Sequence, residues 1–154
     1  MVISIMFEAY NYEVNVHWQS GRVGQMSAPG IDETILCATP PEFPQGVHGI
    51  WSPEHLFTAS VNSCFMTTFL AVAENFKLKY EHFSCRAIGR LSRATGKWMM
   101  SEIILKPELT ICTEESFEKA RKVLEKSEKA CLITQSIKSM VITEPTIMVS
   151  EMCM

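Results

Sequence analysis

Six cysteines stand at positions 37, 64, 85, 112, 131 and 153, and two of them sit where a thiol could do chemistry. Cys64 lies near the middle of "WSPEHLFTASVNSCFMTTFLAVAENF" (51–76), most of which reads as one apolar helix. On it, positions 60, 64, 67, 68 and 71 share a face and read Ser, Cys, Thr, Thr, Ala, all small and weakly polar. Such a face either lets another backbone pack closely or leaves a thiol recessed in a pocket with room for a substrate. Cys131 follows Phe117 by fourteen residues, nearly four helical turns, and so returns within ~40° of the same stripe. Both cysteines are expected on inward surfaces of two helices that cover one sheet. There they either pack as small hydrophobes or work as a redox pair.

The other four read differently. Cys85 lies on the apolar face of a strand and is expected to be core, as is Cys37 in its own strand-like run. Cys112 falls at a strand end and is expected in solvent without a partner, and Cys153 sits between two methionines in the tail. No CxxC occurs, so neither a zinc pattern nor a thioredoxin motif is present, and no metal site is expected.

Behind these thiols, 154 residues suffice for one domain with its own core, spanning 1–154, with 150–154 as a loose tail. A net charge of −3 gives no electrostatic reason to expect nucleic acid as a partner. The apolar run 64–73 is interrupted by Thr67 and Thr68 and followed by Glu74, so no membrane span is expected. "MVISIMFEAY" has neither a basic n-region nor a small-residue cleavage site, and the chain reads as cytoplasmic. In that reducing compartment a structural disulfide is not expected, whereas a transient one is.

The elements that must position the thiols follow from periodicity. Tyr10, Tyr12, Val14, Val16 and Trp18 alternate, which predicts a strand over 10–18. "QSGRVG" is a turn, and further strands follow near 22–28 and 33–38. "TPPEFPQGVHG" holds three of the seven prolines and is a loop. The Cys64 helix then starts with Ser52 as cap, Pro53 in its first position and Glu54 at its positive end. Strands over 81–93 and 101–111 flank the hairpin turn "RATGKW". The next helix has Thr113 as its cap and buries Phe117, Ala120 and Leu124. A last strand covers 139–149. The order β-β-β-α-β-β-α-β is an α+β domain, two main helices on a largely antiparallel sheet.

With the elements in place, "SPEHLFTASVNSCFMTTFLAVA" followed about 67 residues later by "SEKACLITQSI" resembles the OsmC/Ohr family, the osmotically inducible and organic hydroperoxide resistance proteins. The likeness extends over most of the chain, from the "GR.G" turn to the late-helix cysteine. It implies an OsmC-like fold, an intertwined homodimer with its sites at the subunit interface, and thiol-dependent reduction of hydroperoxides. It places Cys64 in the peroxidatic position, Cys131 in the resolving position, Glu54 at the family's helix-start glutamate and Arg22 at the arginine that some members hold after their first strand. Two features depart from the pattern. Cys131 is followed by Leu132 where the hydroperoxide resistance branch often has proline, and "TPPEFPQGVHGIW" lacks the arginine that other branches carry there.

The implied chemistry needs no metal, haem, flavin or other cofactor. A buried thiol alone is a poor nucleophile at neutral pH, and a guanidinium beside it reverses that. The thiolate attacks one peroxide oxygen, and Arg22, oriented by Glu54, stabilises the departing alkoxide. The sulfenic acid on Cys64 condenses with Cys131, and a small dithiol, by resemblance a dihydrolipoyl group, resets the pair. Glu54 and Cys64 lie ten residues apart, ~15 Å along a straight helix. Either the helix breaks between them, or Arg22 and Glu54 serve Cys64 of the other subunit. The aromatic and methionine side chains nearby (Trp51, Phe65, Met66, Phe69) favour an organic hydroperoxide over hydrogen peroxide. Two other readings stay open: a redox-sensing or hydrophobic-ligand-binding dimer without turnover, and a cysteine hydrolase using His17, His48 or His55.

Overall fold

Residues 8–152 are described in the computed structural model. The chain divides into two compact units, one ending at Pro53 and the other beginning at Glu54. In the first, β1 (Asn15–Ser20), β2 (Val23–Ala28) and β3 (Ile31–Ala38) form an antiparallel sheet in sequence order. Gly21, at φ +51°, makes the tight turn between β1 and β2, a conformation that suits glycine. Pairing begins at Asn15, and residues 8–14 carry no regular structure, so the alternating pattern from Tyr10 outruns the ladder that could use it. Val16 and Trp18 are 64% and 76% exposed, an apolar strand face left uncovered. The proline-rich segment after β3 is a series of turns, closed by the Ala38 N–H donating to the Trp51 carbonyl at 2.8 Å.

The second unit holds both thiols of interest. Helix α1 (Pro53–Asn75) runs unbroken for 23 residues. β4 (Tyr80–Ser92) and β5 (Met99–Ile111) form a long antiparallel hairpin. A single 3-10 turn (Glu114–Ser116) leads into α2 (Phe117–Ala130) and a one-turn helix α3 (Leu132–Ser136). The expected last strand is two pieces, β6 (Met140–Thr143) and β7 (Thr146–Val149), separated by Glu144 and Pro145. Both pair with β5 in parallel, so this sheet is mixed. Pro145 has no N–H to give a ladder, and the break at it follows.

Alternation on the hairpin sets the layers. Phe83, Ala87, Ile103, Leu105 and Leu109 join Val61, Phe65 and Phe69 of α1 and Ala120, Val123 and Leu124 of α2 in one core. The opposite face carries charge, with Arg90 paired to Glu102 at 3.0 Å. Phe69 stacks on Phe83 with ring centres 4.2 Å apart. The Asn62 side-chain amide donates to the Cys85 carbonyl at 2.9 Å, which fixes α1 against β4 one residue pair before Cys64. Phe117, expected inside, is 40% exposed, because it opens α2 at the edge of a stripe that runs through Ala120, Val123, Leu124 and Ser127. Thr113 makes no side-chain cap.

By length and composition alone, α1 is long and apolar enough to cross a membrane. Thr67 and Thr68 dilute its hydropathy without interrupting it. Val61, Phe65, Phe69 and Ala73 are at most 1% exposed, and α1 is a core helix of this unit.

Candidate functional site

Cys64 and Cys131 come together. Cys131 is fully buried, and Cys64 is half-buried, so solvent reaches only the earlier sulfur. Both are free thiols within interaction distance of each other. What brings Cys131 to this place is a break in the helix. It is the single extended residue (φ −66°, ψ 113°) between α2 and α3, so the N–H groups just after it point back towards the pair instead of along a continuing helix.

The two thiols are pushed in opposite directions. For Cys64, burial is the largest influence and raises the pKa. Against it, the Ile133 N–H, the Cys131 thiol, the Thr68 hydroxyl and the Leu132 N–H all favour the thiolate, and the sum lies below the ordinary thiol value. For Cys131, burial again leads and raises the pKa. The Thr134 hydroxyl and N–H oppose it, but the neighbouring Cys64 charge adds to it, and Cys131 ends above the ordinary value. Of the pair, Cys64 is the more readily ionised and Cys131 the less. Neutral donors supply the whole effect, and two of them are main-chain groups of Leu132 and Ile133. A proline directly after Cys131 would remove one of these donors.

The hydroxyls along α1 divide their work. Thr58, Ser60, Ser63 and Thr67 each fold back on a carbonyl one turn earlier, Thr67 on that of Cys64 at 3.0 Å. Thr68, one turn after Cys64, gives its hydroxyl to the sulfur. Sequence placed Thr68 on the right face but gave it no role. The donors at 132–134 it missed altogether, because nothing in "CLIT" announces a helix break.

Glu54 stands at the start of α1, with one carboxylate oxygen buried and without a hydrogen-bond partner among the described residues. Because α1 is unbroken, ten residues keep Glu54 ~15 Å from Cys64 along the axis. Arg22 lies in the turn after β1, exposed, its Nε donating to the Gln45 side chain at 3.1 Å. Cys85 is half-buried against α1, and burial drives its thiol up to about 11. Cys112 corrects its expectation. It is half-buried and disulfide-bonded, so the expectation that the chain has no structural disulfide is corrected with it. Cys153 lies outside the described residues.

These differences should be read directly by alkylation. With iodoacetamide and peptide mass spectrometry, labelling of Cys64 is expected to rise with pH around a midpoint below that of free cysteine, while Cys85 stays unlabelled at neutral pH. Cys131→Ala removes one donor and should move the Cys64 midpoint upwards. An unchanged midpoint would mean that the Cys131 thiol does not hold the thiolate.

Residues 46–145 match the family model described as OsmC-like protein. A comparison with curated protein sequences finds no match. Among solved structures, an OsmC-like protein of unknown function from Vibrio cholerae is similar, with 22% identity and a TM-score of 0.81, over 90% of this chain and 100% of that one. An organic hydroperoxide resistance protein from Elizabethkingia anophelis gives 18% identity and a TM-score of 0.74, over 94% and 100% of the two chains. One from Legionella pneumophila, titled an organic hydroperoxide resistance protein and predicted redox protein, gives 22% and 0.69, over 93% and 100%. The matched span is about two thirds of the sequence and includes Glu54, Cys64 and Cys131 alike, and the chain belongs to the OsmC-like protein family.

Proposed function

We propose that this protein is a cysteine-based peroxidase that reduces organic hydroperoxides, with Cys64 as nucleophile and Cys131 as resolving thiol. The observation that carries this reading is the pairing of a half-buried thiol whose pKa is lowered with a fully buried thiol whose pKa is raised. Cys64 thiolate attacks the peroxide oxygen distal to the organic group, the O–O bond breaks, and the alkoxide leaves and takes a proton. Cys64 is then a sulfenic acid. Cys131 attacks its sulfur, water departs, and a Cys64–Cys131 disulfide results. A dithiol reductant, with dihydrolipoyl groups as the class that the resemblance implies, restores both thiols. None of these steps draws on a metal or organic cofactor. The reading fits the hydroperoxide resistance proteins among the structural relatives.

The working unit in this proposal is a homodimer. Met66 and Leu70 on α1 are 41% and 42% exposed, and on β1 Val16 and Trp18 are 64% and 76% exposed, apolar side chains that a second copy could cover. The unpartnered oxygen of Glu54 is an acceptor waiting for a donor. With the helix-break alternative gone, Glu54 and Arg22 are assigned to Cys64 of the other subunit, Arg22 as the group that meets the developing alkoxide charge and Glu54 as the group that orients it.

The test is one oxidising equivalent. Reduced protein treated with one equivalent of cumene hydroperoxide is expected to lose two hydrogens, mapped by peptide mass spectrometry to Cys64–Cys131. Intact thiols with the peroxide unconsumed would sink the peroxidase reading. Slow disulfide formation without turnover in the presence of a dithiol would favour a sensor.

A further inference from the structure

Thr134 is a residue that the peroxide chemistry above does not use. Its hydroxyl oxygen is buried and has no hydrogen-bond partner among the described residues. A buried hydroxyl left idle is costly, and what it faces is sulfur. Thr134 is the third residue of the helix that Cys131 caps, and its hydroxyl and N–H both favour the Cys131 thiolate. Donors set beside a buried sulfur suit the negative charge that develops on it as a leaving group.

We propose that Thr134 is a catalytic residue of the reductive half-cycle: its hydroxyl and N–H receive the Cys131 sulfur as it leaves the disulfide, so that the incoming dithiol attacks Cys64. This rests on the Cys64–Cys131 disulfide of the preceding reading. Accessibility gives the same direction, since Cys131 is 0% exposed and only Cys64 can be approached by an external thiolate. One thiolate of the reductant bonds to the Cys64 sulfur, the S–S bond breaks, and its electron pair goes to Cys131, held by Thr134. Cys131 takes the proton of the reductant's second thiol. That second sulfur, now a thiolate, attacks the first, closes the reductant's own disulfide and releases Cys64 as thiolate. Two electrons pass from dithiol to protein, and the pair returns to its resting protonation.

The Cys64 charge that opposes a Cys131 thiolate in the resting pair is absent from the disulfide, because Cys64 is then bonded. The Thr134 donors come from the third residue after Cys131 and move with it, so they stay in place when the two sulfurs close up. A leaving thiol stabilised as its anion departs faster, and the sulfur that departs fixes which one is attacked.

The experiment separates reduction from peroxide. Diamide oxidises the wild type, Thr134→Val and Thr134→Ser to the disulfide without any hydroperoxide, and rapid mixing with dithiothreitol gives the reduction rate. Thr134→Val, of equal shape, is expected to reduce about tenfold more slowly, while Thr134→Ser stays within about twofold of wild type. Single-turnover oxidation of Cys64 by cumene hydroperoxide should change by less than the reduction rate does in Thr134→Val. A monothiol quenched with acid should be found on Cys64. Reduction of Thr134→Val at the wild-type rate, or a monothiol adduct on Cys131, overturns the assignment and leaves the peroxidase reading standing. A slowed Thr134→Val in a protein that does not consume peroxide sinks the peroxidase reading and leaves this one. Failure of diamide to join Cys64 to Cys131 overturns both.

Discussion

A Cys64→Ser variant is expected to consume organic hydroperoxide no faster than buffer does, a loss of roughly 10³-fold or more, the scale on which enzymes fail when their nucleophile is removed. The reason is ionisation. The donors gathered at position 64 (the Ile133 and Leu132 N–H groups, the Cys131 thiol and the Thr68 hydroxyl) lower a thiol's pKa below its usual value, but a serine hydroxyl starts far too high for the same set to ionise it. The companion variant separates attack from resolution. Cys131→Ser keeps the nucleophile and should complete one turnover, then stall as a sulfenic acid and overoxidise with excess peroxide. Peroxide consumption by a ferrous-xylenol assay, with the mass of the intact protein, reads both. Steady turnover by Cys131→Ser with a dithiol reductant would remove Cys131 from the cycle. Full activity in Cys64→Ser would remove the whole scheme.

The second large effect is complementation between subunits. Arg22→Ala and Cys64→Ser homodimers should each be inactive. Refolded together in equal amounts, half of the dimers are mixed, and each mixed dimer has one intact and one doubly defective site. Activity should therefore return to about a quarter of wild type if Arg22 of one chain serves Cys64 of the other. If Arg22 serves the thiol of its own chain, no mixed dimer has an intact site, and the mixture stays inactive. The unbroken 23-residue α1 is what motivates the experiment, because it excludes a bend that would carry Glu54 back to Cys64 within the helix.

Much of this was legible from residue order, and what was not has definite causes. The strands of the β4–β5 hairpin announce themselves by alternation over many residues, and the Cys64 helix by its long apolar run with Ser52, Pro53 and Glu54 at the start. The convergence of Cys64 and Cys131 was legible for the same reason, although the route differs. The period that carries Cys131 to the inner stripe of α2 holds up to Ala130, and there the helix ends. The break has no signature in "EKACLITQ", which contains neither glycine nor proline. The N–H groups of Leu132 and Ile133 therefore could not be foreseen as ligands of a thiolate, since main-chain donors carry no side-chain code. Phe117 failed for a local reason, a 3-10 turn ahead of α2 that sets it at the edge of the stripe. The two threonines were a poor reason for expecting no membrane span, since α1 keeps a mean hydropathy of 1.5 despite them, and what marks it as a core helix is the burial of Val61, Phe65, Phe69 and Ala73.

In the proposed role the protein would work bathed in the reagent that damages sulfur, and the spare thiol of β4 is one that such a reagent would leave alone. Peroxides react with the anion, and with a pKa of about 11 only about one Cys85 in ten thousand carries that anion at pH 7. Chemical immunity at that position comes from burial alone, with no need of a shield, a repair partner or a different amino acid.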